Sequence, residues 1–193
     1  MSGIGRKPDL APVTIEAFDA FLDTVEDRRL YELIGGDIIM IANPTEPHEK
    51  IASNIGLPLG THMNRRDCHT YQGGMRVQRD DDSKAFDKYR PDVVVRCGSL
   101  GTKTYITDPI VVVEVLSPST IDFDHSAKLE FYKTLPSLQH IVLAYQDQMH
   151  LEHYRRKGET WVMDVLTKPT QELALASVAF ALPMAEVYRA VAV

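Results

Sequence analysis

Two carboxylates and one amine are the groups of this chain best placed to do chemistry together. Asp92 follows Pro91 and opens the run Val93-Val94-Val95. Glu114 stands inside a second run, among Val111, Val112, Val113, Val115 and Leu116. Side chains alternate along a strand, so Glu114 points the same way as Val112 and Leu116. A buried carboxylate must be protonated, hydrogen-bonded or held by a cation. Asp92 is the obvious companion, because acids at neighbouring strand ends suit a hard divalent cation. Mg2+, or Mn2+ in its place, takes one or two protein carboxylates and fills its shell with water and phosphate oxygen. The backbone carbonyl of Val115 is a further candidate ligand. The same residues also suit a plainer arrangement, in which Glu114 pairs with an arginine or lysine and is merely tolerated in the core. Asp124 and Lys128, one turn apart on the helix that follows, weigh towards the metal site. An amine there can orient a water and stabilise charge building on a phosphate.

The elements that must position these groups are legible in outline. Residues 1–12 read as a loose arm and residues 13–193 as one domain. Thr14 can cap a helix reaching Arg28, with Ile15, Phe18, Phe21, Leu22 and Val25 as its apolar stripe. YELI and DIIMI flank Gly35-Gly36, a hairpin signal. A helix starts near His48 and runs towards Arg66, with Pro58 set against its continuity. Strands follow at HTYQ, MRVQ, RPDVVVRCG and PIVVVEVLS. A helix begins near Asp122 or Asp124, then come strands at HIVLAYQ, HLEHYRR and TWVMDVL, and a last short helix opens at Pro183. This order predicts an α/β fold with a mixed sheet flanked by helices, its valine triplets in central strands covered on both faces.

Composition narrows the function classes. The 193 residues are 44% hydrophobic and 25% charged, as in a soluble globular protein, and no apolar run is long enough to span a bilayer. The N-terminus lacks the apolar segment of a signal peptide, so a cytoplasmic location is expected. Cys68 and Cys97 have no CxxC pattern, and neither a zinc site nor a disulfide framework is expected of them. The net charge of −6 argues against a surface coated in basic residues for nucleic acid. A local basic groove at Arg65-Arg66, Arg76 and Arg79, or Arg155-Arg156-Lys157 stays open beside the alternative of solvated rims. RDDDSKAFDK reads as a solvated loop. His150 and His153 face opposite ways on a strand, His62, Cys68 and His69 lack zinc spacing, and His125 and His140 read as ordinary. There is no Gly-rich phosphate loop and no nucleophile elbow.

PDVVV, VEVLSPST, DHSAKLEFYKTLPSL, HIVLAYQD and HLEHYRR resemble the restriction endonuclease family grouped within the PD-(D/E)XK nuclease superfamily. YELIGGDIIMI with Pro44 and His48 resembles that family's N-terminal half. The resemblance implies a restriction-endonuclease-like fold and divalent-metal-dependent cleavage of nucleic acid, DNA foremost, with a homodimer as the implied assembly. It assigns Asp92 to the motif's aspartate and Glu114 to its second acid. The superfamily's lysine lies two residues beyond that acid, where this chain has Leu116; Lys128 is the implied replacement. Glu32, His48 and Gln146 match further positions near the family's site. Two other readings stand beside it: a non-catalytic binding or assembly module on the same fold, and a hydrolase of small phosphate esters.

Overall fold

A computed structural model describes residues 11–26, 29–64, 67–79, 85–117 and 121–193, with residues 121–125 described by backbone only. The expected arm falls almost wholly outside these residues, as do Arg28, Arg65 and Arg66. The side chains of Asp122, Asp124 and His125 also lie outside them.

Thr14 caps α1 (Ile15–Thr24) by accepting the Ala17 N–H at 3.2 Å. The helix ends earlier than its stripe suggests. Lys88 anchors it with two 2.8 Å contacts to Asp19. Lys88 is 1% exposed, so the segment expected to be a solvated loop ends in the core. β1 (Leu30–Ile34) and β2 (Asp37–Ile41) form the expected hairpin. Leu33 of β1 packs towards α1, so its neighbours Glu32 and Ile34 face the opposite way, towards the main sheet.

α2 (Glu46–Met63) begins at the Thr45 cap and continues through Pro58. Ile51, Ile55, Leu59 and Met63 are fully buried, each worth roughly 2 kcal/mol. Together they outweigh the ~3 kcal/mol cost of an interior proline. Gly56 is where the helix touches the sheet. A Cβ there would lie 2.5 Å from Gln72 Cδ, so a larger residue would require the Gln72 side chain to move aside.

Next come β3 (Cys68–Gln72), β4 (Arg76–Val77), β5 (Val93–Cys97), β6 (Tyr105–Ile106), β7 (Val111–Leu116), α3 (Ile121–Lys133), β8 (His140–Tyr145), β9 (Leu151–Lys157) and β10 (Thr160–Leu166). The main sheet has six strands in the order β10-β9-β8-β7-β5-β3. Only β7 and β8 pair in parallel, which requires a crossover, and α3 is that crossover. All six residues of β7 are buried. Val93, Val95, Val111, Val113 and Val115 pack on the face covered by α2. Val94, Val112 and Leu116 pack on the other face, with Leu129 and Tyr132 of α3. The mixed sheet and its flanking helices are as expected.

The C-terminal segment differs from its sequence reading. β11 (Glu172–Leu175) and β12 (Phe180–Pro183) form a hairpin not expected from the sequence, and Pro183 both closes it and precedes the expected short helix. α4 is only Met184–Val187. Asn54 of α2 ties this end down by donating 2.9 Å hydrogen bonds to the carbonyls of Val187 and Arg189.

The absence of a disulfide expected from the sequence is also overturned. Register places Cys68 of β3 opposite Cys97 of β5, and the two are disulfide-bonded. Strand pairing, not sequence distance, brings them together. A disulfide belongs to an oxidising compartment, which sits against the cytoplasmic expectation. Among the described residues no helix is long and apolar enough to cross a membrane.

His140 and His153 are not ordinary either. Their rings meet at 2.9 Å between Nδ1 and Nε2, and both residues are under 5% exposed. The Ser177 N–H points to His140 Nε2 at 3.2 Å, so the neutral pair hands its protons in one direction. Burial pulls His140 down to about 4 and His153 to about 3, with the Arg155 charge adding to both. Below the ordinary histidine pKa the unfolded chain binds protons that the folded chain refuses. Stability therefore falls as pH drops from about 6.5 towards 4, by roughly 3 kcal/mol for His140 alone, and is unaffected by the pair above that range. Urea unfolding across this window is expected to show the slope. The double variant His140→Gln/His153→Gln should flatten it; an equal slope in the variant would assign the effect elsewhere.

Candidate active site

The β5–β7 register, Val93 opposite Val113, brings Asp92 opposite Glu114 when extended by one residue. Directly opposed residues of an antiparallel pair share a face. Asp92 and Glu114 accordingly line one cavity of about 620 Å³, with Glu32, His48, Arg90 and Lys128 also on its wall. Each side chain arrives on a different element. Glu32 comes from β1, His48 from the first turn of α2, Arg90 and Asp92 from the approach to β5, Glu114 from β7 and Lys128 from α3.

Asp92 is fixed by backbone. Its Oδ2 accepts the Val115 N–H at 2.7 Å, just beyond the last β5–β7 pair. The engagement seen at Val115 is thus through its amide; its carbonyl remains a candidate ligand only as an expectation. His48 Nε2 lies 3.3 Å from the same Asp92 oxygen. Burial lowers the His48 pKa, but the hydrogen bond and charge of Asp92 outweigh it, and the net shift is upward.

Glu114 is held from α3. Tyr132 donates its hydroxyl to Glu114 Oε1 at 2.6 Å. Lys128, one turn earlier on the same helix face, lies 3.5 Å from that oxygen and 2.9 Å from Glu32 Oε2. The lysine thus bridges the two acids. Burial pushes the Glu114 carboxyl up to about 8; Lys128 pulls it down, and Asp92 and Glu32 push it further up. Glu32, 2% exposed, also accepts the backbone N–H of Arg90 at 2.8 Å.

All the residues expected at the site are therefore gathered there: Asp92, Glu114, Lys128, Glu32, His48 and Val115. Gln146 lines the same cavity, and its side chain accepts the Thr45 hydroxyl at 2.5 Å. Sequence reading missed Tyr132, which passes for one more residue of an apolar helix stripe. Its only signal is its position four residues after Lys128. Tyr132→Phe is expected to weaken divalent-ion binding roughly tenfold, by removing the group that orients a ligand carboxylate. It should cost about 1 kcal/mol of stability. Isothermal titration with Mn2+ and urea unfolding check the two; unchanged Mn2+ affinity would show that Tyr132 only packs.

Of the candidate basic clusters, Arg79, Arg155 and Arg156 do not line this cavity. Arg155 pairs with Asp164, and Arg156 donates to the carbonyls of Lys133, Leu135 and Leu138, so both brace the fold. Arg79 lines a separate cavity beside Phe86 and Phe131.

Comparison with known proteins agrees with this fold. Residues 15–185 match the Uma2 family, described as "Putative restriction endonuclease". The uncharacterized protein sll1609 of Synechocystis sp. (strain ATCC 27184 / PCC 6803 / Kazusa) is 29% identical over 147 residues, 74% of this chain and 81% of that one. The uncharacterized protein slr1290 of the same organism is 25% identical over 167 residues, 86% of each chain. A crystal structure described as a "putative nuclease belonging to DUF820" from Anabaena variabilis ATCC 29413 aligns with a TM-score of 0.73 at 20% identity. The alignment covers 92% of this chain and 98% of that one, a likeness of fold. With its restriction-endonuclease-like sheet and a match spanning nearly its whole length, this chain belongs to the Uma2 family.

Proposed function

We propose that the protein is a divalent-metal-dependent endonuclease that hydrolyses phosphodiester bonds of nucleic acid, DNA foremost. One observation carries the reading: Asp92 and Glu114 line one cavity, and an amine from α3 bridges Glu114 and the buried Glu32 on its wall. Assembly as a homodimer is part of the same reading. So is a cytoplasmic location, in which the Cys68–Cys97 disulfide would face a reducing environment.

The donor set fits Mg2+ or Mn2+. Among the described residues no group of three or more His, Cys, Asp or Glu side chains is spaced to hold an ion. Two carboxylates, with water and substrate oxygen completing the shell, are a donor set that Mg2+ accepts. A buried carboxyl pushed up to about 8 also gains from an added positive charge. Asp92 and Glu114 would hold the ion, with the Val115 carbonyl as a third donor. When bound, it supplies Lewis acidity at the scissile phosphate and makes water a better nucleophile.

The chain's own residues do the rest. The Val115 amide and the Tyr132 hydroxyl keep the two acids from turning, so no reorganisation is needed when substrate arrives. Lys128 orients the attacking water or steadies charge on the pentavalent phosphorus, from the position that Leu116 cannot serve. His48, its proton affinity raised by Asp92, holds a proton close to the reacting phosphate. The walls of β1, α2 and α3 limit water around the acids.

Cleavage assays on single- and double-stranded DNA and RNA, with Mg2+, Mn2+ or EDTA, test the proposal. Metal-dependent products that vanish with EDTA are expected. Absence of turnover on every substrate, with no rise in melting temperature on adding Mn2+, would leave the non-catalytic module as the better reading. Competition by mononucleotides stronger than by oligonucleotides would favour the small phosphate ester.

A further inference from the structure

The acids of the cavity already have cations. Lys128 lies between Glu32 and Glu114, and His48 lies against Asp92. Arg90 lines the same cavity and is half-buried, yet it contacts no carboxylate through its side chain. Among the described residues its guanidinium makes one hydrogen bond, from Nε to the carbonyl of Gly73. A guanidinium carries five N–H donors, so the donors of both terminal nitrogens remain for a ligand.

The group is also set in advance. Glu32 holds the Arg90 backbone N–H, and Pro91 restricts Arg90 to an extended backbone. Gly73, which fixes Nε, donates its own N–H to the Asp92 carbonyl at 2.8 Å. Gly73 can do both because it adopts a φ of 57°, which glycine reaches at little cost. The Arg90 backbone is therefore tied to Glu32, and its guanidinium, through Gly73, to the backbone of Asp92. A second guanidinium, Arg76, has its Nε buried with no hydrogen-bond partner among the described residues. Burial lowers its pKa and the nearby Arg90 charge lowers it further, against Asp19 and Glu32, which raise it.

We infer that Arg90 is the phosphate-binding residue of this site, gripping non-bridging oxygens of a phosphodiester through its terminal nitrogens and setting the strand's position relative to Asp92. The inference rests on the nuclease reading for the identity of the anion. It adds the group that selects an anionic substrate in a cavity otherwise walled by acids. Arginine suits the task better than lysine because its planar fork matches phosphate oxygens two at a time.

The test measures binding apart from turnover. Fluorescence anisotropy with a labelled single-stranded DNA oligonucleotide and with its duplex, in Ca2+ in place of Mg2+, compares wild type with Arg90→Gln and Arg90→Lys. Arg90→Gln should weaken binding roughly tenfold to a hundredfold. It should also reduce the slope of log affinity against log salt by about one. Arg90→Lys should keep that slope while recovering only part of the affinity. The rise in melting temperature on adding Mn2+ should match wild type in both variants. The inference is overturned by unchanged affinity and slope in Arg90→Gln, by a parallel loss of the Mn2+ response, or by a wild type that binds neither oligonucleotide. Arg90-dependent binding without any cleavage would sink the nuclease reading and leave this one standing. Cleavage that ignores Arg90 would do the reverse.

Discussion

Glu114→Gln is expected to keep the fold and to lose cleavage by about a thousandfold. The retained fold follows from the state of the carboxyl. Burial pushes it up to about 8, so at neutral pH in the absence of metal it is largely uncharged, and an amide of the same size resembles it. Tyr132 can donate to the amide oxygen as it does to Glu114 Oε1. The lost activity follows from the other half of the argument. An amide cannot become an anionic ligand, and the several kcal/mol of charge stabilisation that a metal brings to a phosphoryl centre would go with it; at 1.36 kcal/mol per decade that is about a thousandfold. Paired melts with and without Mn2+ and single-turnover cleavage form the check. Wild-type turnover in the variant would remove Glu114 from the chemistry.

Lys128→Met should act on stability as strongly as on activity. Lys128 is 8% exposed and bridges two acids that are themselves buried, Glu32 at 2% and Glu114 at 5%. Removing Lys128 leaves the buried Glu32 without its ionic partner, at a cost of about 3–5 kcal/mol. For a chain of this size that corresponds to a fall in melting temperature of about 10 °C. Adding Glu32→Gln should restore most of the melting temperature without restoring cleavage. That separates the lysine's structural part from its catalytic one. A variant that melts within experimental error of wild type at pH 8 would show that the bridge carries no stabilisation.

These groups differ in how far the sequence announced them. Glu114 was conspicuous because an acid among valines contradicts its surroundings, and Asp92 followed from the turn chemistry of Pro91 beside another valine run. Lys128 could be named from its spacing with Asp124, but its role as the replacement for the motif lysine came only from the family resemblance. Tyr132 and Arg90 gave no sign. Tyr132 belongs by pattern to an apolar stripe, and the importance of Arg90 depends on which cations nearby are already paired. The partnerships of Cys68 with Cys97 and of His140 with His153 depend on strand register, which side-chain alternation alone does not fix. The hairpin β11–β12 was hidden by its alanines, Ala174 and Ala181, residues that strands use sparingly. Pro58 misled in the other direction, because helix continuity there is decided by how much apolar surface α2 covers rather than by one missing N–H.

The bridging ammonium of Lys128 has an implication for ion choice. At rest the acids carry a built-in monovalent counter-ion, tethered and therefore present at very high effective concentration. Sodium or potassium from solution could only swap one unit of charge for another, and would surrender its hydration to do so. A doubly charged ion brings charge the side chain cannot match. On the metal-dependent reading proposed above, the fold would discriminate by valence before coordination geometry is consulted.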